Sequence, residues 1–179
     1  MSAQKTSTYV ILLRGVNVGG NNLLPMKSLK NELEAAGFDG VKTYIQSGNI
    51  VLRSNANPEQ RVFDLINSHF SITPDVLVLS SKEFMAAASE NPYSHYEGKF
   101  VHLYFCKSKP HVDRAKLKSK KAETETYQLS GKVFYLHTPE GMARSKLAAG
   151  IAGCLGVSVT GRNLNTVNKL VDMLEAVDS

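Results

Sequence analysis

Two octapeptides from opposite halves of the chain align without a gap. Thr43-Tyr44-Ile45-Gln46-Ser47-Gly48-Asn49-Ile50 sits over Thr126-Tyr127-Gln128-Leu129-Ser130-Gly131-Lys132-Val133, and Thr, Tyr, Ser and Gly match. Each reads as strand, turn, strand. The same order of elements surrounds both copies, so the chain reads as an internal duplication. For the octapeptide taken alone, convergent hairpin chemistry is the alternative.

The first half begins with Tyr9–Leu13, a short apolar run that reads as a buried strand. A polar, Gly-rich loop runs from Gly15 to Leu24, and Pro25 suits the first turn of a helix. Met26, Leu29, Leu33 and Ala36 recur at helical spacing, with Gly37 as the stop. Val41–Gln46 and Ile50–Arg53 read as strands around the turn Ser47-Gly48-Asn49. Asn57 caps the next helix, Pro58 opens it, and Val62, Phe63, Ile66 and Phe70 form its apolar face. Val76–Leu79 is a strand, after which Ser80 or Ser81 caps an Ala-rich helix ending near Asn91-Pro92.

The second half repeats this order. Phe100–Phe105 reads as a strand, His111–Lys121 as a basic helix, and Thr126–Leu129 with Lys132–His137 as a hairpin. Ser145–Leu155 reads as a helix, Val157–Thr160 as a short strand, and Leu164–Val177 as a final helix. The expected fold is α+β: a tandem duplication of two ferredoxin-like (split βαββαβ) halves, residues 1–91 and 92–179. It has antiparallel sheets with helices and an extra C-terminal helix. In the first strand Tyr9, Ile11 and Leu13 alternate with Val10, Leu12 and Arg14, so both faces are mostly apolar. A sheet with one solvated face would alternate more cleanly. The second face is therefore expected to be covered, by the other half or by a second subunit.

Composition bounds the function classes. The 179 residues are 42% hydrophobic and 21% charged, which excludes wholesale disorder. No apolar run approaches the roughly 20 residues that span a bilayer, and the apolar run behind the polar first eight residues is too short for a signal-peptide core. No membrane association is expected, and the cytoplasm is the expected location. Cys106 and Cys154 are too few for a disulfide scaffold and fit no metal motif, so both read as small buried hydrophobes. The net charge of +5 is local. Residues 107–121 hold seven Lys or Arg against Asp113, a charge of +6, which leaves the rest at −1.

Three polar stretches are candidates for a ligand site. Arg14-Gly15-Val16-Asn17-Val18-Gly19-Gly20-Asn21-Asn22 is longer than a strand-to-helix link requires. Its glycines let backbone N–H groups approach an anion, and a helix N-terminus follows. It matches neither the P-loop nor the dinucleotide fingerprint. A long turn whose Gly and Asn residues take left-handed backbone conformations is the alternative. In Arg144-Ser145-Lys146, Ser145 suits an N-cap and the flanking cations suit an oxyanion; an ordinary cap with solvated charges is the alternative. Thr160-Gly161-Arg162-Asn163-Leu164-Asn165-Thr166-Val167 crowds more polar residues at a helix start than one cap uses.

Four stretches, Leu12-Leu13-Arg14-Gly15-Val16-Asn17-Val18-Gly19-Gly20, Thr43-Tyr44-Ile45-Gln46-Ser47-Gly48-Asn49, Arg144-Ser145-Lys146-Leu147 and Thr160–Val167, resemble the uncharacterised, mainly bacterial family catalogued as domain of unknown function 1697. The resemblance runs from near the start of the chain to near its end. The family pattern usually has Trp where this chain has Leu164, and this chain has no Trp. Any stacking role of an indole is therefore absent. The resemblance implies the duplicated ferredoxin-like fold and no established activity.

Three functions are weighed. The first is binding of a small anionic ligand, phosphorylated compounds and nucleotides included. Arg14, Arg144, Lys146 and Arg162 would supply charge. Asn17, Asn21, Ser47, Asn49, Ser145, Asn163, Asn165 and Thr166 would orient the ligand, and the N–H groups of Gly19 and Gly20 would bind oxyanions. The second is a nucleic-acid-binding module using the basic 107–121 segment. Against its standard mode, residues 49–53 carry no aromatic for base stacking, and Phe134 and Tyr135 point to opposite faces. The third is an oligomer-forming interaction protein. Catalysis is not evident. His69, His95, His102, His111 and His137 form no zinc motif, no nucleophile motif occurs, and carboxylates are scarce in the suspected sites. No metal or cofactor is expected.

Overall fold

The computed structural model describes residues 4–178. The chain divides into two compact units, one made of residues up to 86 with those from 170 onward, the other of residues 87–169.

In the first unit β1 (Ser7–Arg14), β2 (Asp39–Tyr44), β3 (Asn49–Ser54) and β4 (Asp75–Ser80) form one antiparallel sheet in the order β2-β3-β1-β4. Helices α1 (Met26–Ala35) and α2 (Glu59–Phe70) cover the face that carries Ile11, Leu13, Ile50, Leu52 and Val76. These side chains meet Leu29, Leu33, Val62 and Ile66 in one core. Such a side chain contributes about 1.5–3 kcal/mol when fully buried. Val10, Leu12 and Val51, on the other face, are fully buried as well. Helix α3 (Ser81–Ser89) follows β4, and Ser80 Oγ accepts the Glu83 N–H at its start.

In the second unit β5 (Val101–Cys106), β6 (Thr126–Ser130), β7 (Val133–His137) and β8 (Val159–Asn163) form an antiparallel sheet in the order β6-β7-β5-β8. This is the strand arrangement of the first unit. The two halves of the chain are thus the same βαββαβ fold, and α7 (Leu164–Asp178) is the extra C-terminal helix. Tyr104, Phe134, Leu136 and Val159 pack against Leu117, Leu147, Ile151, Cys154 and Leu155. The described residues hold seven α-helices, none long and apolar enough to cross a membrane.

The structure corrects four element boundaries. The basic helix, expected over His111–Lys121, is α4 (Arg114–Lys120). Residues 111–113 are drawn off as extended chain, because His111 N–H donates to Leu155 O and Asp113 N–H to Cys154 O. Asp113 then caps α4 by accepting the Lys116 N–H. The helix expected over Ser145–Leu155 breaks at Gly150 into α5 (Lys146–Ala149) and α6 (Ile151–Leu155). The last strand, expected over Val157–Thr160, is shifted to Val159–Asn163 by its pairing with β5. The first hairpin turn is residues 45–48 rather than Ser47-Gly48-Asn49. Asn49 belongs to β3, fully buried, and its side-chain amide donates to Tyr44 O and Ser47 Oγ across the turn.

Candidate functional site

The Gly-rich loop folds as a small hairpin of its own. Asn21 N–H donates to Val18 O and Asn17 N–H to Asn22 O, with Gly19 and Gly20 at the tip. Their φ angles of 56° and 78° are those of a tight hairpin turn that glycine adopts without strain. Asn17 bolts this hairpin down. Its Nδ2 donates to Leu24 O at 3.0 Å and to Gln46 O at 2.7 Å, and its Oδ1 accepts the Leu24 N–H at 2.7 Å. The loop is thereby tied to the β2–β3 turn, which carries Ser47 and Asn49. Arg14, at the end of β1, pairs with Asp75 of β4. The structure thus brings Arg14, Asn17, Gly19, Gly20, Asn21, Ser47 and Asn49 to one end of the first sheet. Asn17 and Asn49 spend their side-chain hydrogen bonds on the chain itself.

In the second unit Ser145 is an N-cap, accepting the Ala148 N–H at 3.0 Å. Arg144 lies in a short 3-10 turn, Met142–Arg144, and both it and Lys146 are exposed. Arg162 and Asn163 are residues of β8, not of a helix-start loop. Arg162 donates to Gly161 O, and burial lowers its guanidinium to about 10, so it stays charged at neutral pH. Asn163 caps α7 by accepting the Thr166 N–H. Asn165 packs against Gly98, where a side chain would collide with it, and Thr166 is buried. On β5 and β7, Tyr104, Phe134 and Tyr135 are buried, and Tyr135 donates to Ala87 O. Arg114, Lys116 and Lys118 of α4 are exposed. No group of three or more His, Cys, Asp or Glu among the described residues is placed to hold a metal ion.

A cleft in the first unit gathers charge that the sequence stretches do not include. It has a volume of about 270 Å³ and is lined by Gln4, Thr6, Phe38, Asp39, Arg53 and Arg61, among others. Its geometry follows from how three elements end. Helix α1 stops when Gly37 N–H donates to Glu34 O and Phe38 N–H to Leu33 O, a paired closure that turns the Phe38 ring into the core. Ala36 O is left over, and Arg61, in the first turns of α2, donates to it from Nη2 at 2.8 Å. A cation there also suits the negative end of the α1 dipole. The Arg61 guanidinium lies over the Phe38 ring, 4.1 Å from its centroid, so its plane is fixed by stacking and by this one bond.

Arg53 comes from the end of β3, opposite Asp39 of β2. The register shifts between Asp39 and Lys42, and Gly40 there has φ of +60°, the conformation of a Gly bulge. The Arg53 stem passes over Gly40, where an added Cβ would approach its Cδ to 3.2 Å. Among the described residues the ionic partner of Arg53 is Asp39, at 3.8 Å and largely exposed. That distance is too long for a hydrogen bond. The cleft thus presents two guanidinium groups, one stacked and one loosely paired, against one carboxylate. In the sequence each arginine looks like an ordinary surface charge, at the end of a strand or on a helix. The bulge glycine next to Asp39 is the one local signal.

The family model described as "Protein of unknown function (DUF1697)" matches residues 6–135 of the chain. No curated protein matches the sequence. Among solved structures, the conserved bacterial protein SP0830 from Streptococcus pneumoniae is similar, with a TM-score of 0.69 and 23% identity. The match covers 95% of this chain and 99% of that one, and at this identity it shows a shared fold.

Proposed function

The chain belongs to the DUF1697 family of proteins of unknown function, and from that premise we propose that it binds a small anionic ligand in the Arg53–Arg61 cleft. The observation that carries the reading is that Arg53 and Arg61, from different elements, line one concave surface. Arginine is suited to this because its planar fork meets oxyanions with paired hydrogen bonds. Stacking on Phe38 holds the Arg61 fork in place before a ligand arrives, which lowers the ordering cost of binding. The volume, about 270 Å³, lies below the range of about 300–1,000 Å³ common for drug-sized ligands, which favours an occupant smaller than a nucleotide.

Calorimetric titration with sulfate at low ionic strength tests the proposal. The expected result is saturable binding at one site, weakened at least tenfold by Arg53→Gln. Among the described residues, that variant removes no hydrogen bond from the fold. The same titration of Arg14→Gln, Arg144→Gln and Arg162→Gln separates the cleft from the polar stretches singled out by sequence. Binding that survives Arg53→Gln and is lost in one of those variants would move the ligand to that stretch and refute the cleft.

A further inference from the structure

The charge arrangement of the cleft speaks to which anions it accepts. Resting on the proposed anion site, we infer that its ligand is a dianion of the phosphate-monoester class, and that Asp39 is the carboxylate this ligand displaces. Asp39 is then a specificity-determining residue.

The bulge at Gly40 sets Asp39 directly opposite Arg53, at the edge of the sheet. Asp39 reaches Arg53 through one oxygen at 3.8 Å, with most of its side chain in water. A contact of that kind is weak and readily exchanged. An incoming oxyanion can take the whole Arg53 fork, which a distant single carboxylate oxygen does not.

Charge then selects the ligand. Among the described residues the charged groups lining the cleft are Asp39, Arg53 and Arg61, a sum of +1. A monoanion needs one guanidinium and leaves the Arg53–Asp39 pair undisturbed. A dianion with three or more oxygens can meet both guanidinium groups and match their two charges, while Asp39 swings into water. Arg61 is the fixed arm, because the Phe38 ring and Ala36 O hold it. Arg53 is the movable arm, because its stem crosses a glycine and, among the described residues, its head has only the long Asp39 contact. The size of the cleft limits the organic part of the ester to a small polar group.

Titration calorimetry with three probes decides the matter: sulfate, methyl phosphate and acetate. At pH 8 sulfate and methyl phosphate are expected to bind at least tenfold more tightly than acetate. Between pH 8 and pH 5 methyl phosphate becomes largely monoanionic, its second ionisation lying near pH 6 as in other phosphate monoesters. Its affinity is expected to fall about tenfold, while that of sulfate holds within about twofold. Among the described residues no histidine lines the cleft, so the change belongs to the ligand. Asp39→Asn removes the competing carboxylate and is expected to tighten sulfate at least threefold, with an unchanged melting temperature as the check on folding. Acetate binding as tightly as sulfate, or Asp39→Asn leaving sulfate affinity unchanged, overturns the dianion assignment and leaves the anion site standing. If none of the three probes binds the unmodified protein, the anion site itself fails.

Discussion

Replacing Asn17 by Ala tests whether the Gly-rich loop is held by its own asparagine or keeps that asparagine for a ligand. The wild-type side chain makes three hydrogen bonds to backbone groups, at 3.0, 2.7 and 2.7 Å. Each is worth about 0.5–1.5 kcal/mol net. Asn17 also sits at a φ of +53°, where Asn is tolerated and Ala costs roughly 1–2 kcal/mol. Asn17→Ala should therefore cost about 3–5 kcal/mol, a large share of the 5–15 kcal/mol that stabilises a typical domain. Asn17→Gly separates the two terms. It loses the hydrogen bonds but accepts the backbone conformation, so it should be about 1 kcal/mol less damaging than Ala. Asn17→Asp keeps the acceptor for Leu24 N–H but turns a carboxylate oxygen toward two carbonyls, and should be no better than Ala. Urea unfolding followed by far-ultraviolet circular dichroism measures all three. At about 1–3 kcal/mol per molar urea the midpoint should move by at least about 1 M. An Asn17→Ala midpoint indistinguishable from wild type would refute the clamp.

Other predictions follow from the second unit. Tyr104 Oη is buried without a hydrogen-bond partner among the described residues, so Tyr104→Phe should leave stability unchanged or raise it by up to about 1–3 kcal/mol in urea unfolding. A loss beyond about 1 kcal/mol would mean that the hydroxyl has a partner. Gly161→Ala would place a Cβ 2.7 Å from the buried Tyr104 ring and should cost about 1–3 kcal/mol, read as a lowered melting temperature. Burial holds the Cys106 thiol up to about 11 and the Tyr104 and Tyr135 hydroxyls up to about 12. The folded protein keeps these protons where the unfolded chain has begun to lose them. Stability from these groups is therefore complete below about pH 8.5 and should be lost as pH rises from there toward 12, a course that melts at stepped alkaline pH would follow. Cys106 and Cys154 are both buried, and native protein at pH 8 should resist iodoacetamide until denaturant is added, as mass spectrometry of the alkylated chain would show.

Much of the fold was legible because each signal was local. The apolar run Tyr9–Leu13, the caps at Ser80 and Ser145, and the hairpin of β6 and β7 all depend on near neighbours, and all stand in the structure. The last strand was misplaced for the opposite reason. Gly161-Arg162-Asn163 is polar and looks like a loop, yet its pairing with Tyr104, Leu103 and His102 of β5 makes it sheet. The break at Gly150 was likewise hidden inside a continuous apolar pattern. At the candidate sites, a loop rich in Gly and Asn carries the same sequence signature whether its amides bind a ligand or the loop itself. Asn17 shows the second use. Arg53 and Arg61 come together only through a bulge, a helix end and a stacked ring, none of which is a spacing in the sequence.

Two arginines of the first unit form the proposed anion site. Diffraction from crystals soaked in sulfate at low ionic strength tests it most directly. A sulfate between the Arg53 and Arg61 guanidinium groups, with Asp39 turned away from Arg53, is the expected result. Sulfate ordered at the Gly19–Gly20 tip, at Ser145 or at Arg162, with none between Arg53 and Arg61, would contradict it.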